Sequence, residues 1–176
     1  MAPRILAISG KSGCGNTTLS RLLAQRLGFR LINYTFRAMA EDRGIPFEEM
    51  LKLANADPSY SFDRELDAKQ VALAREGNCV IGSRLAMWLL PDACLRIFLS
   101  GSLEARAGRI HEREGDSLLE KLAFTRERDK SDHERYLKIY GIDNDNLSVA
   151  DLVINTEAWK PEEEVEIIVT AFDFKT

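Results

Sequence analysis

The stretch ISGKSGCGNTTLSR, residues 8–21, constrains the fold more than any other part of the chain. It follows a short apolar run and precedes a segment with leucines at helical spacing. Four of its residues stand where a phosphate-binding loop of the pattern G-x-x-x-x-G-K-[ST] places them: Gly10, Gly13, Gly15 and Thr17. Backbone N–H groups and the start of the following helix surround a phosphate in such a loop. We therefore predict a nucleotide-binding loop; the simpler alternative is a tight glycine turn without a ligand.

The loop departs from its pattern at the lysine position, which is occupied by Asn16. A lysine there normally reaches the β- and γ-phosphates, and a charged hydrogen bond contributes about 1.5–3 kcal/mol. We hypothesise that Lys11, second in the loop, replaces part of that charge. The Thr17 hydroxyl is the predicted Mg²⁺ ligand, and Cys14 is expected to face a phosphate. The candidate nucleotide-binding residues are Gly10, Lys11, Ser12, Gly13, Cys14, Gly15, Asn16, Thr17 and Thr18.

Composition narrows the class of protein. The chain has 176 residues, of which 45% are hydrophobic and 30% charged, so one domain with a real core is expected. A net charge of -4 argues against a nucleic-acid partner or an acidic membrane surface. The longest uncharged apolar stretch, 85–90, is far below the roughly 20 residues that span a bilayer. Three scattered cysteines without a CxxC pair favour the cytoplasm.

Predicted strands alternate with predicted helices along the chain. The strands are expected at 4–9, 29–33, 78–82, 95–100 and 151–156. This alternation predicts an α/β fold, a five-stranded parallel sheet flanked by helices, with ligands at the carboxyl ends of the strands. Residues 44–77 carry helical patterns but no strand, so they are expected to form a small helical lobe.

Arginines at regular spacing suggest phosphoryl binding, because forked guanidinium groups match phosphoryl oxygens. EARAGRIHEREG carries Arg106, Arg109 and Arg113 on one helix face, and TRERDKSDHERY carries Arg128, Asp132 and Arg135 as a ladder. Arg37 and Arg84 follow the second and third strands, at the predicted ligand edge. The alternative for both segments is a solvated helix with ion pairs.

Several longer motifs carry a resemblance to a known family. They are the loop ISGxxGxGxTT, FRAMAEDRGIPFEEM, ARAGRIHEREG, and the element RDxxDxxR at residues 128–135. With them the chain resembles the archaeal-type cytidylate kinases of the P-loop nucleoside monophosphate kinase group, over essentially its whole length. The resemblance implies ATP- and Mg²⁺-dependent phosphorylation of CMP and dCMP by a monomer or a homodimer.

The resemblance also implies roles for residues. Arg37 and Arg84 would hold the CMP phosphate, and the segment 44–77 would be the monophosphate-binding lobe, with Asp63, Arg64 and Asp67 as its polar candidates. An Arg-rich lid, 106–117, would close on the phosphates. Arg128, Asp132 and Arg135 would contact the ribose and phosphates of the acceptor. The candidate catalytic residues are Arg109, Arg113, Arg128 and Lys11.

The chain departs from that group at three places. Asn16 stands at the loop-lysine position, where some members of the group carry threonine. Asn33-Tyr34 stands where the group often has a Gly-Asp pair after the second strand, and Gly82 where it often has an acidic residue after the third. These departures leave two alternatives open. One is a nucleotide-binding protein that has kept the fold and lost the chemistry, and the other is a kinase for a different small acceptor.

Overall fold

The computed structural model describes residues 3–175. Over these residues the strands are β1 Ile5–Gly10, β2 Arg30–Ile32, β3 Cys79–Gly82, β4 Leu95–Ser100 and β5 Leu152–Asn155. The helices are α1 Asn16–Leu27, α2 Phe36–Arg43, α3 Phe47–Ala56, α4 Ser61–Arg75, α5 Ala86–Leu89, α6 Leu103–Glu114, α7 Leu118–Tyr140 and α8 Pro161–Lys175. In this part of the chain no helix is long and apolar enough to cross a membrane.

The five strands form one parallel sheet in the order β2-β3-β1-β4-β5, which confirms the predicted fold class. β1 is central and pairs with β3 on one side and β4 on the other. The chain passes from β1 to the edge strand β2, returns to β3, and then crosses β1 to reach β4 and β5 on the other side. Ligands bind in the crevice at such a switch in strand order. The glycine loop leaves β1 at this crevice.

Helices cover both faces of the sheet, because successive side chains of β1 point to opposite sides. Leu6 and Ile8 pack on one face with α1 and α8. Ile5 and Ala7 pack on the other face with residues of α4 and α5. All six residues of β1 are buried, so the strand that carries the loop is packed on both faces of the sheet.

Helices α2, α3 and α4 share a small core of their own. Met39, Ala40 and Met50 are buried there. The partly buried side chains around them are Tyr34, Phe36, Ile45, Phe62 and Leu66. This packing supports the predicted helical lobe at 44–77, and it includes α2 as well. The lobe is therefore a packing unit that begins before Gly44.

Helix ends follow the turn chemistry of the sequence. Gly28, Gly44 and Gly141 end α1, α2 and α7 in the left-handed conformation that glycine adopts at low cost. Between α6 and α7 the chain reverses at Gly115, and Ser117 with Glu120 forms a capping box. The short helix α5 was not predicted, because four apolar residues are too few to show a helical period.

Candidate nucleotide-binding cleft

A cleft of about 700 Å³ opens at the carboxyl edge of the sheet. Its walls come from four parts of the chain: the loop 10–18, residues 33–36 after β2, residues 82–85 after β3, and one face of α4. Arg109, Arg113, Arg128 and Tyr136 complete the lining. Residues that are far apart in sequence therefore meet where the fold predicts a ligand.

Two glycines of the loop are required for different reasons, Gly13 by close packing and positive φ, and Gly15 by positive φ alone. A Cβ atom at Gly13 would lie 2.6 Å from the carbonyl oxygen of Arg106, and Gly13 has a φ of 81°. Gly15 has a φ of 93° and open space around it. Thr17 and Thr18 are exposed on the first turn of α1. A loop of this shape, with free hydroxyls at a helix start, fits a phosphate chain.

Asn16, at the lysine position of the loop, turns back toward the sheet. Its Nδ2 donates to the Ile8 carbonyl at 3.3 Å, and its Oδ1 accepts from Ser20 Oγ at 2.9 Å. A Cβ atom at Gly82 would lie 2.6 Å from Asn16 Oδ1. The side chain is thus occupied in joining β1 to α1, and the absence of a side chain at Gly82 makes room for it.

The expectation that Cys14 faces a phosphate is wrong for its side chain. Cys14 is 1% exposed and packs in the core beside α1 and α8. Burial raises the pKa of its thiol, so the group is a small core side chain. A Cβ atom at Gly10 would lie 2.5 Å from Cys14 Sγ, so the inward position of the thiol requires a glycine there.

Lys11 forms an ion pair that the sequence did not reveal. Its Nζ lies 2.6 Å from Asp145 Oδ1, and this contact lowers the pKa of the Asp145 carboxyl. Asp145 belongs to the turn GIDNDN that follows α7. His133 of α7 lies 3.5 Å from the same carboxylate. The turn therefore holds Lys11 at the edge of the cleft, where it also lines the wall.

Two arginines of α6 hold the loop in place. Arg106 is 5% exposed and forms a two-pronged ion pair with Asp129 of α7 at 2.6 and 3.1 Å. Its Nη1 also donates to the Ser12 carbonyl at 3.0 Å. Arg109 donates to the carbonyl of Gly13 in the loop at 3.4 Å, and to the carbonyl and hydroxyl of Thr156, which follows β5, at 2.6 and 2.8 Å. These bonds fix α6 against the phosphate loop at the start of the predicted lid, 106–117.

Toward the C-terminal end of α6, the arginine side chain is exposed and does not bond to the phosphate loop. Arg113 is largely exposed, pairs with its neighbour Glu114 and lines the cleft. The hairpin between α6 and α7 is held by Lys121, which lies 2.9 Å from Asp116 and 3.0 Å from Glu114. The predicted lid thus has an anchored base and an exposed tip.

Positive charge concentrates on the acceptor side of the cleft. Arg84, just after β3, pairs with Asp132 of α7 at 2.9 Å. Arg128 lines the cleft one turn before Asp132 and forms no hydrogen bond or salt bridge within residues 3–175. Burial and the nearby Arg84 charge lower the pKa of the Arg128 guanidinium. A half-buried arginine without a partner, beside a second arginine, is a site for an anion.

Two predicted acceptor residues lie elsewhere. Arg37 is exposed on α2, with its guanidinium carbon 4.2 Å from the centroid of the Phe47 ring. Arg135 donates to Asp63 of α4 at 2.8 Å. Neither arginine lines the cleft, and Asp132 reaches it only through Arg84. Their predicted roles in binding the acceptor stay predictions.

The sequence was compared with models of known protein families. The sequence model of the cytidylate kinase-like family matches residues 5–158. The chain belongs to the cytidylate kinase-like family. The match spans all five strands and the helices α1 to α7, so it includes every element that lines the cleft. The predicted resemblance is thereby confirmed.

Relatives of this cytidylate kinase-like chain occur in archaea and bacteria. It is 40% identical to cytidylate kinase of Pyrococcus horikoshii over 171 residues, which are 96% of this chain and 88% of the relative. It is 44% identical to cytidylate kinase 2 of Borreliella afzelii over 170 residues, 96% of each chain. The similarity therefore covers nearly the whole of both relatives.

Solved structures agree on the fold. Shikimate kinase of Bacteroides thetaiotaomicron matches with a TM-score of 0.65 at 16% identity, over 98% of this chain and 99% of the other. A gluconokinase of Sinorhizobium meliloti matches with a TM-score of 0.61 at 18% identity, over 98% and 92%. At such identities the likeness establishes the fold of this family member and nothing about its substrate.

Sequence reasoning missed three polar residues of this cytidylate kinase-like site. Asp145, in the turn after α7, pairs with Lys11. Ser83 and Gln70 line the cleft, and each has a buried side-chain oxygen without a hydrogen-bond partner among the described residues. For Gln70 the sequence offered a signal, because it shares one face of α4 with Asp63, Leu66 and Asp67.

Proposed function

We propose that this protein transfers the γ-phosphoryl group of ATP to CMP, giving ADP and CDP, and that it accepts dCMP as well. The observation that carries the proposal is the half-buried Arg128, which forms no salt bridge among residues 3–175 and lines the cleft into which the phosphate loop opens. One cleft thus has sites for two anions, a donor phosphate chain at the loop and an acceptor phosphate near Arg128. Membership of the cytidylate kinase-like family supports cytidine nucleotides as acceptors.

The donor would be held by the loop 10–18. Backbone N–H groups at the start of α1 would bind its phosphates, and the exposed Thr17 hydroxyl would ligate Mg²⁺. Mg²⁺ would supply charge neutralisation between the phosphates. Arg106 positions the loop through the Ser12 carbonyl, and Lys11 supplies positive charge at the loop's edge.

The acceptor would be held across the cleft. Arg84 and Arg128 would bind its phosphate, with Asp132 orienting Arg84 at 2.9 Å. Arg113, at the exposed tip of the lid, would move in with the transferring phosphoryl group, while the anchored Arg109 would stabilise the loop. Phosphoryl transfer needs positioning and charge neutralisation more than covalent help, and this chain offers both without a nucleophile.

Turnover with a panel of acceptors tests the proposal. ADP release is measured with ATP and Mg²⁺ in the presence of CMP, dCMP, UMP, AMP or GMP, with a control that lacks an acceptor. Selective turnover of cytidine nucleotides is the expected result. Turnover of a different acceptor would support phosphoryl transfer from ATP but would replace CMP as the assigned acceptor. A folded protein that binds ATP and turns over none of them would overturn the kinase proposal.

A specific observation favours one alternative, a nucleotide-binding protein without turnover. Asn16 is engaged with Ile8 and Ser20, and Lys11 is engaged with Asp145. Within the loop 10–18, all of which the structure describes, no lysine is therefore free to bind a donor phosphate without breaking an ion pair. The same assay separates the alternatives, because ATP binding without ADP release is expected only for a binding protein.

The predicted cytoplasmic location and the monomer or homodimer state stay predictions.

A further inference from the structure

A buried oxygen without a hydrogen-bond partner among the described residues belongs to Gln70, which lines the cleft into which the phosphate loop opens. Gln70 of α4 is 7% exposed, and its Oε1 has no hydrogen-bond partner among residues 3–175. Leaving a buried acceptor unsatisfied costs about 1–3 kcal/mol. Such a group therefore calls for an explanation, and a ligand that donates a hydrogen bond would provide one.

The orientation of the Gln70 amide is fixed by the fold. Its Nε2 donates to the carbonyl of Tyr34 at 2.6 Å, and a carbonyl accepts only from the NH₂ end of an amide. This bond assigns Oε1 to the other side of the group. Because Tyr34 follows β2 directly, the contact also fixes α4 beside that strand. Oε1 is thus an acceptor in a set position, and because its surface is covered in this structure, a ligand reaches it when the side chains that cover it move aside.

Gln70 lines the same cleft as Arg84 and Arg128 and packs beside the segment that follows β2. The phosphate loop follows β1, Arg84 follows the adjacent β3, and Tyr34 follows the edge strand β2. A monophosphate whose phosphate lies at Arg84 and Arg128 would extend its nucleoside toward β2 and α4. Tyr34, Phe36 and Leu66 line that end of the cleft and offer aromatic and apolar surface to a flat ring.

The surroundings of Gln70 favour a hydrogen-bond donor. Asp67, one turn earlier on the same face of α4, also lines the cleft. Its Oδ2 accepts from Tyr140 Oη at 2.6 Å. Burial raises the pKa of the Asp67 carboxyl to about 6, so above that pH it is negatively charged. A ring that presented a carbonyl oxygen here would face two acceptors, Gln70 Oε1 and the Asp67 carboxylate. A ring with an amino group would donate a hydrogen bond to one of them.

We propose that Gln70 Oε1 accepts a hydrogen bond from the exocyclic amino group of cytosine and so distinguishes CMP from UMP. Cytosine carries an amino donor at position 4, where uracil carries a carbonyl acceptor. A site built around a hydrogen bond rejects the analogue that lacks the donor, because its own polar group is then left unpaired. The inference rests on the proposed function for the identity of the acceptor, and it names the residue that reads the base.

The test compares CMP with an analogue that lacks only the 4-amino group, the 2-pyrimidinone ribonucleoside 5′-monophosphate, and with UMP. The wild type is expected to prefer CMP over the analogue by about 10–100-fold in kcat/KM. Gln70→Met removes the acceptor and keeps the length of the side chain. Its kcat/KM values for CMP and the deamino analogue are expected to differ by less than about threefold. Gln25→Met, the same change at an exposed position of α1, is the matched control and retains the wild-type preference.

Two results would overturn the inference. One is a wild type that uses CMP and the deamino analogue equally well, a comparison that needs no variant and no folding control. The other is a folded Gln70→Met protein that keeps the full preference for CMP. Dissociation constants from calorimetry separate this inference from the proposed function. If the wild type binds CMP selectively through Gln70 but does not turn it over, the kinase proposal fails alone; if it binds neither nucleotide, both fail.

Discussion

Asn16 Oδ1 lies 2.6 Å from the position that a Cβ atom would occupy at Gly82. These two residues are two of the three departures from the cytidylate kinase pattern, and the fold brings them into contact. Asn16 folds back to bond with Ile8 and Ser20, and only a glycine on β3 leaves space for it. The two changes are therefore one packing arrangement at the base of the phosphate loop.

A methyl group at Gly82 is expected to disturb this arrangement. The Cβ atom of Gly82→Ala would lie 2.2 Å from Ser20 Oγ and 2.6 Å from Asn16 Oδ1. Overpacking of this kind costs about 1–3 kcal/mol, which urea denaturation would show as a lower midpoint. Gly77→Ala is the control, since no atom lies within 4 Å of its added Cβ. Equal stability of the two variants would contradict the packing argument.

Removal of the Lys11 charge is expected to slow turnover. Lys11→Ala takes away the cation that lies at the edge of the loop, and a charged hydrogen bond of about 1.5–3 kcal/mol corresponds to roughly 10–100-fold in kcat. Asp145→Asn keeps the lysine and removes its anionic partner. It is expected to stay within about threefold of the wild type. If both variants lose activity equally, Lys11 acts only through its ion pair, and unchanged turnover in Lys11→Ala would refute the hypothesis.

Arg128 is expected to contribute to acceptor binding or transfer. Arg128→Gln removes a half-buried cation that has no partner in the described residues, and steady-state kinetics should show kcat/KM for CMP lowered by about 10–100-fold. Arg126→Gln is the matched control, because Arg126 is exposed on the same helix and does not line the cleft. A similar loss in both variants would point to the net charge of α7 instead.

The ion pair between Arg106 and Asp129 is expected to matter for stability. Asp129→Asn leaves a guanidinium that is 5% exposed without its counter-charge, and such a loss costs about 3 kcal/mol or more. Thermal unfolding should show it as a reduced Tm. Glu127→Gln, at an exposed neighbouring position, is expected to change the free energy of unfolding by less than about 0.5 kcal/mol. A stable Asp129→Asn protein would mean that Arg106 finds other acceptors.

The Asp67 carboxyl is expected to make stability depend on pH. Burial raises its pKa from 3.8 to about 6 in the folded protein, so the folded state binds the proton more tightly than the unfolded chain does. This contribution to stability is present in full below pH 3.8 and is lost as the pH rises through about 6. Asp67→Asn removes it, while its side-chain oxygen can still accept from Tyr140.

Unfolding free energies of the wild type and Asp67→Asn are therefore compared between pH 4 and 8. The free energy of unfolding of the variant is expected to rise relative to that of the wild type as the pH increases to about 6. Above that pH the difference between the two is expected to stay constant. A difference that does not change with pH would contradict the raised pKa. Asp92→Asn, at an exposed carboxylate with only a weak contact to Arg75 at 3.7 Å, is the control and is expected to show no such trend.

Local patterns in the sequence sufficed for most of the fold. The alternation of apolar runs and helical spacing predicted the five strands and the parallel sheet, and Gly28, Gly44 and Gly115 marked helix ends. These features depend on neighbours within a few residues, which the sequence displays directly. The short helix α5 escaped because its four apolar residues fit a strand, a helix or a turn equally well.

The sequence by itself determined the phosphate loop, the edge of the sheet where it opens, and the family to which the chain belongs, because each of these depends on residues in a fixed local order. Only the tertiary structure decided where the side chains point. It turned Asn16 and Cys14 inwards and bound Lys11 to Asp145. Among residues 3–175 it left Arg128 without a salt bridge and the Oε1 atom of Gln70 without a hydrogen-bond partner. These outcomes depend on contacts between segments distant in sequence, whose distances and free space arise only when the helices pack on the sheet.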